Sequence, residues 1–394
     1  MKKSLLSLLS LLLIILCYLP ATSFAQVKSF EEVVGHKIGE RITLSHQILD
    51  YLNYLNESSD RVTLLEIGTT FDHKLQVAAI ITSPENHQRL EEIRRNAIRL
   101  NDARSTSESE AEQIITNQPA ILYLGGSIHG FELSGTEGVL LTIEHYTTGN
   151  DSKTLEELQN TVLIADPVIN TDGRDAFAQF NHQHRGRNAN PDNADWSNDF
   201  RSWDGLKFRT SHYYFDLNRD WFAHTHPETR NRAAILRDWR PQAGVDAHEM
   251  GSEREFYFDP PTDPISPHFP EYTTKWFEEY GNAHADAFDR ENIEYTNREM
   301  FNYFYPAFFT SYMTYQGAVG MLYEQGSSRG FAWRLSDGTV RTLADAAFNQ
   351  FTALRAMIGL SSNRRAELLS DYYQAHSDAI EMGNNGTVRY LIKE

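Results

Sequence analysis

His129-Gly130-Phe131-Glu132 sets an imidazole and a carboxylate three residues apart. The pair follows an apolar run, Ala120-Ile121-Leu122-Tyr123-Leu124, and a Gly125-Gly126 turn. After it, residues 133–141 read as the opening of a helix. A His nitrogen and a Glu oxygen held together at a strand end can share one metal ion. A third protein ligand would leave one coordination position for water, which is the composition of a catalytic zinc site rather than a closed structural one. His-x-x-Glu alone occurs often by chance, so its meaning depends on what else the chain supplies. His248 is the natural third ligand, because it ends the run Val245-Asp246-Ala247-His248. The neighbouring Glu249 invites a His-Glu-x-x-His reading, but position 252 is Ser and that motif is excluded.

The elements that must position these groups follow from periodicity. Residues 41–56 predict a helix, with Ile42, Leu44, Ile48, Leu49, Leu52 and Leu55 near helical spacing. Residues 62–68 and 75–82 predict strands around a turn at 70–74. Residues 86–100, rich in Glu and Arg, predict an exposed helix, and 105–117 a polar loop or helix start. Residues 162–170 read as a buried strand, as do those leading into His248 and the short run 317–323 before Glu324. Helices are predicted over 343–357 and 363–379. Continuous apolar strands alternating with helices indicate an α/β fold: a single domain with a mixed, mostly parallel central sheet flanked by helices. Ligands of such sheets bind beyond the carboxyl ends of the strands. His129, Asn170, His248 and Glu324 all fall at such ends.

Composition narrows the setting. Lys2 and Lys3 precede an apolar run over 5–19 and the small-residue stretch Ala21-Thr22-Ser23-Phe24-Ala25. This is the layout of a signal peptide over 1–25, which makes 26–394 the catalytic domain and the chain an exported one, periplasmic or secreted. The run is short against the roughly 20 residues of a membrane span. The single cysteine, Cys17, lies inside that segment and lacks the small flanking residues of a lipid-modified cysteine. The remaining chain has no thiol, so stability must come from core burial. The formal charge is -18. Such acidity argues against nucleic acid and anionic membrane surfaces as partners, and no stable membrane association is expected after signal removal. No linker, repeat or low-complexity tract divides the chain; residues 380–394 read as a linker or a point of truncation.

Three further segments join the first. They are Asn170-Thr171-Asp172-Gly173, Phe215-Asp216-Leu217-Asn218-Arg219-Asp220-Trp221, and Leu322-Tyr323-Glu324-Gln325-Gly326. With His129-x-x-Glu132 and Asp246-x-His248, in this order, the set resembles the zinc carboxypeptidase family, the metallocarboxypeptidases related to carboxypeptidase A. The resemblance spans residues 44–360, and the segments 213–221 and 246–251 look most like its bacterial exported branch.

The resemblance implies a role for each residue. His129, Glu132 and His248 would hold one Zn²⁺, and Glu324 would be the general base that later acts as acid. Asp216 would accept a hydrogen bond from His129 and fix its tautomer. Asn218 and Arg219 would grip a substrate's terminal carboxylate, a task suited to a guanidinium fork. Arg209, seven residues before Asp216, matches the cation that polarises the carbonyl, with Ser211 where the family carries Asn; Arg185 and Arg187 are its competitors. Tyr305 is the candidate for the tyrosine that closes over substrate, with Tyr303 and Tyr312 as alternatives. The aromatic stretch 301–315 would line the side-chain pocket, and an apolar preference would follow if Phe308 or Phe309 faces it. The implied partner is a peptide with a free C-terminal carboxylate. Alternatives are a peptidoglycan-trimming carboxypeptidase or amidase on the same fold, or a zinc-binding module without catalysis. The sequence leaves the oligomeric state open.

Overall fold

The computed structural model describes residues 27–186, 188–192 and 205–386. The segment read as a signal peptide, Arg187 and the last eight residues lie outside the described residues. The main sheet has eight strands: β1 Val62–Thr69, β2 Leu75–Ile81, β3 Ala120–Gly126, β4 Thr161–Asp166, β5 Ala243–Met250, β6 Phe256–Phe258, β7 Tyr295–Thr296 and β8 Val319–Gly326. Their order is β1-β2-β4-β3-β5-β8-β6-β7. The four central strands β4, β3, β5 and β8 run parallel. β1, β2 and β6 join antiparallel to the sheet.

The central strands are buried along nearly their whole length and mostly apolar, because both faces are covered. Leu122 and Leu124 of β3 point to one face and pack with Val139, Leu140, Ile143, Leu354 and Met357 of the helices Leu133–Thr148 and Leu343–Asn363. Ile121 and Tyr123 point to the other, with Ala97, Leu236, Trp239 and Phe309 from the helices Leu90–Asn101, Pro227–Trp239 and Phe309–Tyr315. The two-residue period of a strand puts the core of this single α/β domain on both sides of one sheet.

Several boundaries differ from the sequence expectation, each for a local reason. The first long helix starts at Ser45, not 41. The charged stretch after β2 divides into Pro84–His87 and Leu90–Asn101, each with its own start. The second of these buries Ile93, Ala97 and Leu100, so it is amphipathic rather than free of the core. Ser107 caps a full helix, Glu108–Asn117, through a reciprocal bond with Glu110. β4 stops at Asp166. Pro167 cannot continue the ladder, and Asn170 instead caps the helix Thr171–His184.

Candidate active site

Three strand ends converge. His129 and Glu132 lie in the turn between β3 and the helix Leu133–Thr148, where Glu132 is the N-cap. His248 lies near the end of β5 and is paired in register with Glu324 of β8. Gly130 lets the His129 turn lie on the start of the helix Thr171–His184. A Cβ there would stand 2.1 Å from the carbonyl carbon of Gly173 and 2.2 Å from the nitrogen of Arg174. Gly173 is equally confined from its other side, where a Cβ would meet the carbonyl oxygens of Phe208 and Thr210 at 2.7 and 2.8 Å. The Asn170-to-Gly173 turn is thus a spacer between the His129 turn and the segment carrying Arg209. Asn170 fixes it by accepting from Gly173 N at 3.0 Å and donating to the carbonyls of Arg209 and Thr210 at 3.1 and 2.9 Å.

His129, Glu132 and His248 are buried, and ligand atoms from all three lie within 4.8 Å of one another. His129 Nδ1 is 2.8 Å from Glu132 Oε1, and His248 Nδ1 is 2.9 Å from Oε2. The two Nδ1 atoms are 3.1 Å apart. On the far side of each ring, Nε2 meets a carboxylate: Asp216 Oδ1 at 3.1 Å for His129, Asp246 Oδ2 at 2.6 Å for His248. When each Nε2–H donates to its carboxylate, each neutral ring turns a lone pair inward at Nδ1. Two lone pairs and a carboxylate facing one point call for a cation, and the two-nitrogen, one-oxygen set suits zinc.

The same crowding shifts the ionisable groups. Burial works to lower the His248 imidazole, but the charges of Asp246 and then Glu132 outweigh it and hold the group well above its usual range. Burial works to raise Glu132, and the charges of His129 and His248 outweigh that, leaving it well below the carboxylate range. Asp216 is also held far down. Burial opposes this, but the His129 hydrogen bond and charge, then Arg209 and Arg219, prevail. Glu324 moves the other way. It is 9% exposed, and burial pushes its carboxyl up to about 8; Glu132 and Asp246 add to the rise while His248 and Arg209 oppose it. A carboxyl poised near neutrality beside a metal cluster is equipped to take up and release a proton.

His129, Glu132, His248 and Glu324 line one cavity of about 390 Å³. Arg209, Asn218 and Arg219 form its polar side, and Met300, Phe301, Phe308 and Leu322 its apolar side. Arg209 donates from Nε to Asp216 Oδ2 at 3.1 Å and holds Nη1 3.6 Å from Glu132 Oε1. Asn218 is largely engaged within the protein: Nδ2 donates to Asp246 at 3.0 Å and Oδ1 accepts from Phe309 N at 2.8 Å. Arg219 stacks over the Phe308 ring at 4.7 Å and keeps an exposed guanidinium. Arg185, the competitor of Arg209 for the carbonyl role, lies over Phe331 and does not border this cavity. Tyr305 is 45% exposed, and its ring packs on Phe308. Tyr303 is buried and donates to Asp259, while Tyr312 packs on Trp221. Phe308 faces the cavity; Phe309 is buried between Tyr123 and Trp221.

Asp246 is the residue that the motif reading passed over. Its signal was present in Asp246-x-His248, because residues two apart on a strand share a face. Asn170 is a second: the sequence put it at a strand end, whereas it caps the following helix and holds the Arg209 segment.

A buried His–Glu–His cluster at parallel strand ends, with a carboxyl and two arginines sharing its cavity, defines a zinc hydrolase of the α/β class. The sequence model for zinc carboxypeptidases matches residues 48–340, and the chain belongs to that family of zinc metallopeptidases. Solved structures share the fold. A metallo-carboxypeptidase from Burkholderia cenocepacia is 12% identical, over 81% of this chain and 69% of its own, with a TM-score of 0.53. Carboxypeptidase A from Helicoverpa armigera is 18% identical, over 96% and 82%, with a TM-score of 0.52. A Pseudomonas aeruginosa metallo-carboxypeptidase in complex with (2-guanidinoethylmercapto)succinic acid is 11% identical, over 82% and 69%, at 0.53. No curated protein matches the chain by sequence.

Proposed function

We propose that this enzyme removes the last residue of peptides that end in a free carboxylate. The observation that carries this reading is the single cavity shared by the His129–Glu132–His248 cluster, buried Glu324, Arg209 and Arg219. Zinc, held by those three ligands, would supply Lewis acidity and lower the pKa of a water from about 16 to about 7. Glu324 would take the proton of the attacking water and deliver it to the leaving amine. Arg209, anchored on Asp216, would face the oxygen on which charge develops. Arg219, with the remaining N–H of Asn218, would hold the terminal carboxylate, fixing cleavage at the last bond. Tyr305, on the exposed segment beside Phe308, would be the tyrosine that closes over bound peptide.

The side chain released would be apolar or aromatic. Met300, Phe301, Phe308 and Leu322 offer it apolar surface. The acids that might have attracted a basic side chain sit elsewhere. Asp259 is buried behind Tyr303 and Leu322, and Asp263 borders a different cavity. Export, read from residues 1–25, belongs to the same proposal.

The test is a peptide panel differing only in the last residue, each with a C-terminally amidated twin, assayed for free amino acid with and without a zinc chelator. Release from the free acids with terminal Phe or Leu, lost on chelation and absent from the amides, is expected. Internal cleavage or equal release from the amides would sink the assignment of Arg219.

A further inference from the structure

Glu132 sits at an awkward place in the helix it begins. The N-cap side chain ordinarily accepts from a backbone N–H of the first turn, and the first N–H groups of any helix lack partners within it. Glu132 is the N-cap of Leu133–Thr148, yet its side chain makes no capping bond. Both of its oxygens face the two histidines instead.

Glu249 supplies what Glu132 withholds. It follows His248 on β5 and therefore points to the opposite face of the strand. That is the face on which the helix start lies: a Cβ at Gly135 would stand 2.6 Å from the carbonyl oxygen of Ala247. Glu249 Oε1 accepts from Ser134 N at 2.7 Å, in the first turn of that helix. Its Oε2 accepts from Ser327 Oγ at 2.6 Å, in the turn that follows Glu324 and β8. Its own backbone N–H donates to Glu132 Oε2 at 3.0 Å. Ser327 N also reaches back to the carbonyl of Met250 at 3.1 Å. One residue, only 7% exposed, thereby joins the helix that carries Glu132, the strand that carries His248 and the strand that carries Glu324. A negative group at a helix N-terminus is also favoured by the helix dipole.

We propose that Glu249 is a positioning residue: it caps the helix in place of Glu132 and so frees and orients the Glu132 carboxylate for the metal, while holding the Glu324 strand in register. The proposal rests on the metal centre described above. Zinc affinity, measured without substrate, separates its failure from a failure of the carboxypeptidase assignment.

The experiment compares Glu249→Ala, Glu249→Gln and Ser327→Ala in the full chain. Zinc affinity is read by competition with a chromogenic chelator, and kcat and KM on a peptide ending in Phe. Glu249→Ala is expected to lose about 10- to 100-fold in zinc affinity, the usual cost of removing a group that orients a metal ligand, with kcat falling and KM little changed. Glu249→Gln keeps an acceptor for Ser134 N and an amide for Ser327 Oγ, and should recover most of both. Ser327→Ala removes one of the two anchors, so a smaller loss of the same kind is expected, roughly 3- to 10-fold. Should Glu249→Ala fail to fold, Ser327→Ala carries the test. Wild-type zinc affinity in every folded variant overturns the proposal. So does a Glu249→Gln protein that keeps zinc but is as inactive as the alanine variant, which would make Glu249 a proton-transfer group.

Discussion

The metal half of the cleft and the substrate half are built on different principles. His129, Glu132, His248 and Asp246 are buried on or beside the parallel strands, and the rings of both histidines have carboxylates at both nitrogens. Arg219, Tyr305 and Met300 are exposed, the first at the end of a single 3-10 turn and the other two on irregular segments. The buried half resembles a core whose contents happen to be polar: its positions are over-determined by contacts from several elements. The exposed half is held by fewer contacts from the rest of the fold. Arg209 belongs to both, since its guanidinium is partly exposed while Asp216 and Asn170 pin its charge and its backbone. The division teaches that alterations on one side should show in metal binding and on the other in KM.

Glu324 gives the largest separation. Glu324→Gln keeps the shape of the side chain and removes the base, so kcat should fall by about 10²–10⁴ with zinc content unchanged by metal analysis. A loss of zinc in step with activity would put Glu324 among the ligands and blur the division. Arg209→Ala is expected to lower kcat by about 10²–10³ at constant zinc content. Arg219→Ala should act on KM instead, raising it about tenfold or more through the lost charge-assisted bond. A kcat effect of Arg219→Ala equal to that of Arg209→Ala would show that the two arginines do not divide the work.

The orienting carboxylates sharpen the other side. Asp246→Ala leaves His248 without its outer carboxylate and removes one bond of Asn218, so zinc affinity should drop about 10- to 100-fold. Asp216→Ala should cost a comparable amount through His129, and in addition lower kcat by releasing Arg209. If Asp246→Ala instead raised KM alone, Asn218 rather than His248 would be the group that Asp246 serves.

The buried half was the legible half. His129, Glu132, His248 and Glu324 each sit at or just past an apolar strand, and the regularity of strands fixes what such residues face. The Asp246 pairing followed from the same period and was there to be read. The rim was not legible in that way. Whether Phe308 or Phe309 faces the cavity depends on where a short helix starts, and that start is fixed by the bond Phe309 N donates to Asn218 Oδ1, 91 residues earlier in the chain. The choice of Arg209 over Arg185 depends likewise on a tertiary contact, the amide of Asn170 holding two carbonyls. Glu249 was visible only as the failed second residue of a different motif, because a capping role exists only once strand and helix are packed together.

The smallest expected effect on activity lies behind the apolar wall. Asp259 is buried and accepts from Tyr303 Oη at 2.7 Å and Leu322 N at 3.0 Å, two residues that line the cavity. Burial pushes its carboxyl up to about 7, against the lowering pull of those bonds and of Tyr257. Below about pH 4 the group is protonated in folded and unfolded chains alike and carries no penalty. As pH rises toward 7 the unfolded chain releases this proton while the folded chain keeps it, so stability falls through that window and stays lower above it. Asp259→Asn retains the acceptor and cannot ionise, which removes that slope. The variant's unfolding free energy should therefore gain on the parent between pH 5 and 7, by at most about 1.4 kcal/mol per pH unit. Denaturant unfolding of both proteins across that range measures the difference, with turnover expected to stay within a few-fold. Parallel stability curves would mean that Asp259 is ionised in the fold, and that the wall of the pocket carries a charge close enough to welcome a basic side chain.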